Sequence, residues 1–340
     1  MTPKGFAALA IVAVVSFAAA VIVYTSSVEW SRATQSGAPL FADLRGKANE
    51  IAKIEIERGG ERITLARDGG KWTLSEHDSY PAAAEKVNAL VAGLSAAQLV
   101  EAKTRREDRY DLLAVEDPNT KDAKSRLVRL LDGQGNVAAA VIVGRHRVDE
   151  SGLASGGTYI RKPDDPQAWL TDANLDAGIE LRDWVNPYLF EARPADVISL
   201  EVTVPGKDPV KIKRDSERPG HTLDSVPEGM KLKYMNIVDE VVRAASTLDF
   251  SDVRKANAQP DREPAGSFVM ELEGGLKITV TMREEGGDTW LTLEASGGEK
   301  TAEPAKALME RAQGWEFRIP EGRVKEILKS REDLLEPVSS

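Results

Sequence analysis

Two stretches of this chain, about 150 residues apart, carry the same order of apolar strands and turns, and this repetition constrains the fold more than any other feature. The first copy reads Ile54-Glu55-Ile56, Ile63-Thr64-Leu65-Ala66-Arg67-Asp68 and Trp72-Thr73-Leu74. The second reads Leu200-Glu201-Val202, Val210-Lys211-Ile212-Lys213-Arg214-Asp215 and His221-Thr222-Leu223. The offset grows from 146 residues to 147 and then 149, the one-directional drift that loop insertions leave in a duplicated unit. Each copy then supplies one amphipathic helix. Val87, Leu90, Val91 and Leu94 recur at i, i+3, i+4, i+7, and Val238, Val241, Val242 and Ala245 repeat that stripe at offset 151. Pro81 stands near the start of the first helix, where a missing N–H is tolerated. Alternating strands follow in both: Val128 and Leu130 correspond to Met270 and Leu272, and Val141-Ile142-Val143 to Ile278–Met282. Aromatic-marked strands close the copies, Tyr159-Ile160-Arg161 and Trp169-Leu170 in the first, Trp290-Leu291 and Trp315-Glu316-Phe317 in the second.

Six Gly-Gly pairs (59–60, 69–70, 156–157, 274–275, 286–287, 297–298) read as hairpin turns, because glycine adopts the positive φ that a tight turn demands. One helix per copy cannot cross over between so many strands, so the sheets are expected to be antiparallel. The expected class is α+β: an N-terminal transmembrane helix followed by two tandem repeats of a mostly antiparallel sheet with one covering helix each. The expected organisation is an anchor at 1–25, a tether at 26–48, a first unit at 49–180, a joint at 181–195 and a second unit at 196–340.

The anchor is read from Gly5–Tyr24, 20 uncharged residues that as a helix would match the roughly 30 Å of a bilayer's hydrocarbon core. Lys4 precedes the run, so the positive-inside rule keeps the N-terminus cytoplasmic and places the rest on the periplasmic side of the inner membrane. Ala18-Ala19-Ala20 offers the competing reading of a cleaved signal peptide, but Val21-Ile22-Val23-Tyr24 carries the apolar run past that point. The 55 Asp+Glu outnumber the 45 Lys+Arg, and a net charge of −10 repels nucleic acid and anionic lipid surfaces alike. The chain has no Cys, which excludes disulfides, thiol catalysis and lipoprotein anchoring together.

Candidate chemistry is sparse. His77-Asp78-Ser79 holds the residue types of a hydrolase triad, but consecutive residues do not converge, and a turn is the better reading. His146 lies between Arg145 and Arg147 in what reads as a basic turn, and His221 holds the repeat position of Trp72. No His spacing builds a metal site, no glycine pair is followed by Lys-Ser/Thr to cradle a nucleotide, and Asp164-Asp165 and Glu284–Asp288 read as solvated turns. No catalytic residue, metal or cofactor is therefore expected. Trp184, Tyr188 and Phe190 form the one aromatic concentration, read as packing between units or as a docking patch. Lys231-Leu232-Lys233-Tyr234 reads as the solvated start of a helix, and Glu321–Leu335 as a final amphipathic helix.

In order along the chain, Trp72-Thr73-Leu74, Val143-Gly144, Gly157-Thr158-Tyr159-Ile160-Arg161 and Arg182-Asp183 form a pattern that resembles the bacterial family catalogued as domain of unknown function 4340, over roughly Ile51 to Leu335. One departure is Tyr110-Asp111-Leu112 with Pro118 further on, where the family usually has Y-G-L-x-x-P. The resemblance implies a membrane anchor, repeated units and association with gliding-type ABC transport systems, and it transfers no catalytic residue. The expected function is a non-catalytic periplasmic auxiliary or scaffold beside an ABC permease or auxiliary membrane subunit. A binding module for a cell-envelope polymer or lipid, with its ligand in a cleft between units, is the alternative, and an extracytoplasmic hydrolase comes last. The candidate partner or ligand contacts are Tyr159, Arg161, Trp169, Trp184, Tyr188 and Phe190, the first three expected to line one pocket.

Overall fold

The computed structural model describes residues 37–148, 154–257 and 263–338. The expected anchor lies outside these residues, and within them no helix is long and apolar enough to cross a membrane. Contacts divide the chain into two units, Met1–Arg67 with Ala84–Ile179 and Asp68–Ala83 with Glu180–Ser340. The architecture is α+β, with mostly antiparallel sheets and few helices.

The first sheet contains β1 (Ile51–Arg58), β2 (Glu61–Asp68), β3 (Lys71–Leu74), β4 (Tyr80–Pro81), β5 (Leu99–Ala102), β6 (Arg126–Asp132), β7 (Val137–Val148), β8 (Ala154–Arg161) and β9 (Ala168–Thr171). Their order is β4-β3-β2-β1-β6-β7-β8-β9-β5, and β3 and β4 lie in the segment Asp68–Ala83 that groups with the second unit. Period-two alternation explains the core of this sheet. Ile54 and Ile56 stand opposite Leu65 and Ile63 on one side and Leu130 and Val128 on the other, so all six share a face. Val141, Val143 and Ile160 continue that buried layer. Helix α1 (Leu44–Lys47) buries Leu44, and α2 (Ala84–Ala96) buries Val87, Leu90, Val91 and Leu94, the stripe its period dictates.

The second unit adds β10 (Tyr188–Glu191), β11 (Val197–Thr203), β12 (Val210–Arg214), β13 (His221–Leu223), β14 (Met230–Leu232), β15 (Thr247–Asp249) and β16 (Asp252–Lys255). It continues with β17 (Gly266–Leu272), β18 (Leu276–Glu285), β19 (Asp288–Ser296), β20 (Trp315–Ile319) and β21 (Leu335–Pro337). Eight of these form a sheet in the order β13-β12-β11-β17-β18-β19-β20-β16, while β10 pairs with β15 and β14 with β21. Strand for strand, that is the order of the first sheet from β3 to β5. The helices are α3 (Leu181–Trp184), α4 (Ile237–Ser246), α5 (Ala302–Ala312), α6 (Glu321–Ile327) and α7 (Arg331–Leu334). Leu200, Val202, Phe268, Met270, Val280, Leu291 and Phe317 build the buried face, closed in part by Val238, Val241, Val242 and Ala245 of α4.

Several local expectations need correction. Residues 37–48 are not a tether: Leu40 and Leu44 are buried, and Pro39 bridges to Gln98. Gly156-Gly157 lies inside β8, and Gly297-Gly298 follows β19 without opening a hairpin, whereas the other four glycine pairs do join successive strands. Pro81 belongs to β4, before the helix begins. Helix α5 has no counterpart among the expected elements, so the second unit carries more than one covering helix. Its apolar signal is weak, since among its residues only Ala305 and Ala312 are buried. Lys231-Leu232 belongs to β14, with α4 starting five residues after Leu232, at Ile237. The expected C-terminal helix is broken into α6 and α7 at Leu328, whose ψ of 66° is not helical. His146 sits within β7 and not in a turn.

Candidate functional site

In the first unit, the motif residues converge on the outer face of the sheet. Leu127, Ile142 and Ala168 alternate with the main core layer and point the other way, where Tyr110 and Val115 of the loop 103–125 pack on them. Arg161 fastens that loop: its Nε donates to the Val115 carbonyl at 3.0 Å, and its guanidinium lies 4.6 Å from the centre of the Tyr110 ring. Tyr110 in turn donates its hydroxyl to the Pro166 carbonyl at 2.6 Å, and burial pushes its phenol above the usual range despite the nearby Arg161 charge. Gly144 is the floor under this loop. A Cβ there would stand 2.3 Å from the Leu113 carbonyl oxygen and 2.9 Å from that of Ala114. Gly157 serves the neighbouring strand in the same way, with φ of +89° and an added Cβ 2.2 Å from the Thr171 carbonyl oxygen.

Tyr159 packs against this cluster and stays half-buried, with Lys103 Nζ 5.7 Å and the Arg145 guanidinium 5.9 Å from its ring centre. Trp169 does not join it. It stands opposite Ile160, so it shares the buried inner face while Tyr159 and Arg161 share the outer one. The single pocket expected from these three residues is therefore corrected by strand register. His146 bonds Asp176 Oδ1 at 3.0 Å and Thr158 Oγ1 at 3.1 Å, which ties β7 to the loop after β9.

In the second unit, Trp184 and Phe190 are buried and Tyr188 is 40% exposed, so of this aromatic group only Tyr188 offers substantial surface. The unit's clearest constellation surrounds His77, at the end of a 3₁₀ turn over Ser75–His77. Asp78 and Ser79 follow with φ of 52° and 64°, a sharp left-handed reversal. That reversal aims His77 Nδ1 at Asp252 Oδ1, 2.9 Å away, while Asp78 accepts the Lys255 N–H at 3.0 Å. Tyr80 then inserts its ring edge-on against Trp315, Phe317 and Phe250, at 4.9, 5.9 and 6.2 Å. A cleft of about 460 Å³ opens here, lined by His77, Glu180, Arg182, Asp249, Asp252 and Arg318 among others. Burial works to raise the Asp252 carboxyl, but the His77 bond, the Val253 N–H and the Arg318 charge outweigh it and hold it below the ordinary range.

Asp252 and His77 form an orienting pair, and Ser251 lines the same cleft. Ser251 nonetheless donates its hydroxyl to the Arg318 carbonyl at 3.3 Å, so its proton is directed away from the imidazole that would have to activate it. The pair thus works as a clamp that holds the segment Asp68–Ala83 in place. Sequence reading places His77-Asp78-Ser79 in a turn but cannot find Asp252, because the partner is 175 residues away. Among the described residues, no group of three or more His, Asp or Glu side chains is placed to hold a metal ion. Residues 72–266 match the model of a family described as a domain of unknown function, DUF4340. No curated protein and no solved structure matches the chain.

Proposed function

The chain belongs to the DUF4340 family, and on that premise we propose that it is a non-catalytic auxiliary or scaffold of an ABC-type transport assembly. In this reading residues 5–24 anchor it in the inner membrane as the first of its elements, and two tandem sheet units stand on the periplasmic side. The observation that carries the proposal is the uncharged run Gly5–Tyr24 ahead of a chain whose histidines each serve the fold. His77 is held by Asp252, His146 by Asp176 and Thr158, and His221 by Asp239 and the Val197 carbonyl. Groups engaged in this way contribute to rigidity, which a platform for other subunits requires. The transport partner itself is what the family resemblance implies. Fractionation tests the anchor: the full chain should sediment with inner membranes, and a chain starting after Tyr24 should not. Affinity capture from detergent extract should bring down an ABC permease or auxiliary membrane subunit, and capture of neither would sink the scaffold reading.

A second reading, a binding module for a cell-envelope polymer or lipid, is favoured by one observation. Tyr159 presents an aromatic ring flanked by Lys103 and Arg145, an arrangement suited to a ring-bearing ligand with acidic groups. Under this reading Tyr159→Ala abolishes retention on such a polymer while leaving partner capture intact.

A further inference from the structure

A second cleft in the second unit, of about 610 Å³, is lined by Arg214, Arg218 and Arg243 with Asp215, Asp239 and His221 among its walls. Arginines in a cleft commonly belong to the protein's own ion pairs, and two of these three have such partners. Arg218 Nε bonds Asp215 Oδ2 at 2.8 Å, and that carboxyl is held below its usual range first by the Glu217 N–H and then by Arg218. Asp239 is likewise engaged: its Oδ1 accepts the His221 N–H at 2.9 Å and faces His221 Nδ1 at 3.1 Å. Buried His221 completes that wall by reaching the Val197 carbonyl with Nε2 at 3.1 Å. Arg214 is positioned by backbone rather than by a carboxylate: it donates to the Ala195 carbonyl at 2.6 Å and the Val197 carbonyl at 3.3 Å, with Glu273 only at 3.5 Å. Arg243 has no ion pair or hydrogen bond from its side chain to any described residue.

The simplest explanation for Arg243 is its place in the last turn of α4, where a cation complements the helix dipole. That accounts for a positive charge on the helix but not for its sharing a cleft with two other guanidinium groups. Both lining aspartates are already engaged, three arginines share the cleft with those two carboxylates while a third, Glu273, stands outside the lining at 3.5 Å from Arg214, and the whole chain carries −10. Like charges brought together against the sign of the molecule, one of them unpartnered, are the arrangement that a bound anion stabilises. A guanidinium's planar fork matches the oxygens of phosphate and carboxylate better than any other side chain does.

We infer that this cleft is a binding site for a small oxyanion ligand carrying a phosphate or several carboxylates, with Arg243 as its principal charged contact and Arg214 as a pre-positioned second donor. The inference goes beyond the scaffold reading and does not rest on it, since the binding needs no membrane partner. It is tested by calorimetric titration of the purified full chain with pyrophosphate and, separately, with citrate, against a chloride background. Saturable binding of either is expected, the preferred ion naming the source chemistry, with affinity falling at least about tenfold in Arg243→Gln. Lys277→Gln, an exposed charge removed from the second sheet, should leave the affinity unchanged. Absence of saturable heat with both ions overturns the inference. So does equal affinity in Arg243→Gln, or an equal loss in Lys277→Gln, which would mark the effect as general charge attraction. Because Arg243 gives the fold only its helix-dipole contribution, its variant should still unfold cooperatively and at a urea concentration only slightly below the parent's, so a loss of binding measured on the folded variant cannot be assigned to misfolding.

Discussion

The two large sheets share a strand order but finish their outer faces in opposite ways. On the first, an apolar lid covers one end: Tyr110 and Val115 rest on Leu127, Ile142 and Ala168, and the one cation involved, Arg161, is spent on a backbone carbonyl and a ring. On the second, the corresponding outer positions are ionic. Arg254 lies 3.9 Å from the centre of the Trp290 ring and pairs with Glu316 and Glu285, while Arg318 pairs with Asp252 and Asp288. The lesson is that strand order and inner-face alternation settle a sheet's core, whereas the outer face is open to different solutions. An apolar lid depends on close backbone approach and on glycine. An ionic face depends on pH and salt.

The strongest way to test the equivalence of the cores is to delete matched rings. Trp169 stands opposite Ile160 on one side and Ala102 on the other, as Phe317 stands opposite Leu291 and Val253. Trp169→Ala and Phe317→Ala should each cost about 3–5 kcal/mol in urea unfolding. A loss below about 1 kcal/mol at either position would break the comparison. Next in size, Gly144→Ala should cost about 1–3 kcal/mol, because its Cβ meets fixed backbone oxygens that cannot yield. Gly266→Ala in the second sheet should cost less, since there the nearest atoms are Leu328 methyl groups, at 2.6 and 2.7 Å, which can turn aside. Equal losses would show that the backbone oxygens over Gly144 yield as readily as the Leu328 side chain over Gly266 on the inner face of the second sheet.

Smaller effects separate the outer faces. Arg161→Lys should cost about 1 kcal/mol, since an ammonium loses the flat stacking on Tyr110, and the cost should not change between low and high salt. Arg254→Lys should cost a similar amount at low salt and less at high salt, where the carboxylate contacts are screened. The smallest expected effect is on the acid limb. Asp252 titrates below its unfolded value, so its contribution to stability is present above about pH 4 and is lost as pH falls through the lower folded value. Asp252→Asn should therefore be less stable than the parent at neutral pH and approach it in acid. A gap that stays constant from pH 7 to pH 3 would remove the ionic account of the His77 clamp.

Much of the local structure was legible because it depends on near neighbours in sequence. The stripes of α2 and α4 and the four glycine-pair hairpins follow from period and φ alone. What escaped was decided at a distance. Gly144 and Gly157 stand out in the sequence as members of short motifs, yet their reason is a carbonyl oxygen from another segment pressing on the strand. Arg145-His146-Arg147 looks like a turn because it is charged, but the strand continues through it, and His146 finds Asp176 and Thr158. The candidate contacts fared unevenly for the same cause. Register sends Trp169 inward, and burial removes Trp184 and Phe190 from the surface.

By itself, then, the amino-acid order determined the α+β class, the apolar faces, the turns and the family, since each is written in periodicity or in short motifs. Only the tertiary structure decided which histidine meets which carboxylate, which face Trp169 takes, and that three arginines from separate elements share one cleft. The physical reason is range. Periodicity and backbone preference act within a few residues, while a hydrogen bond across 175 positions or a pooled charge exists only after the sheets have brought the chain together.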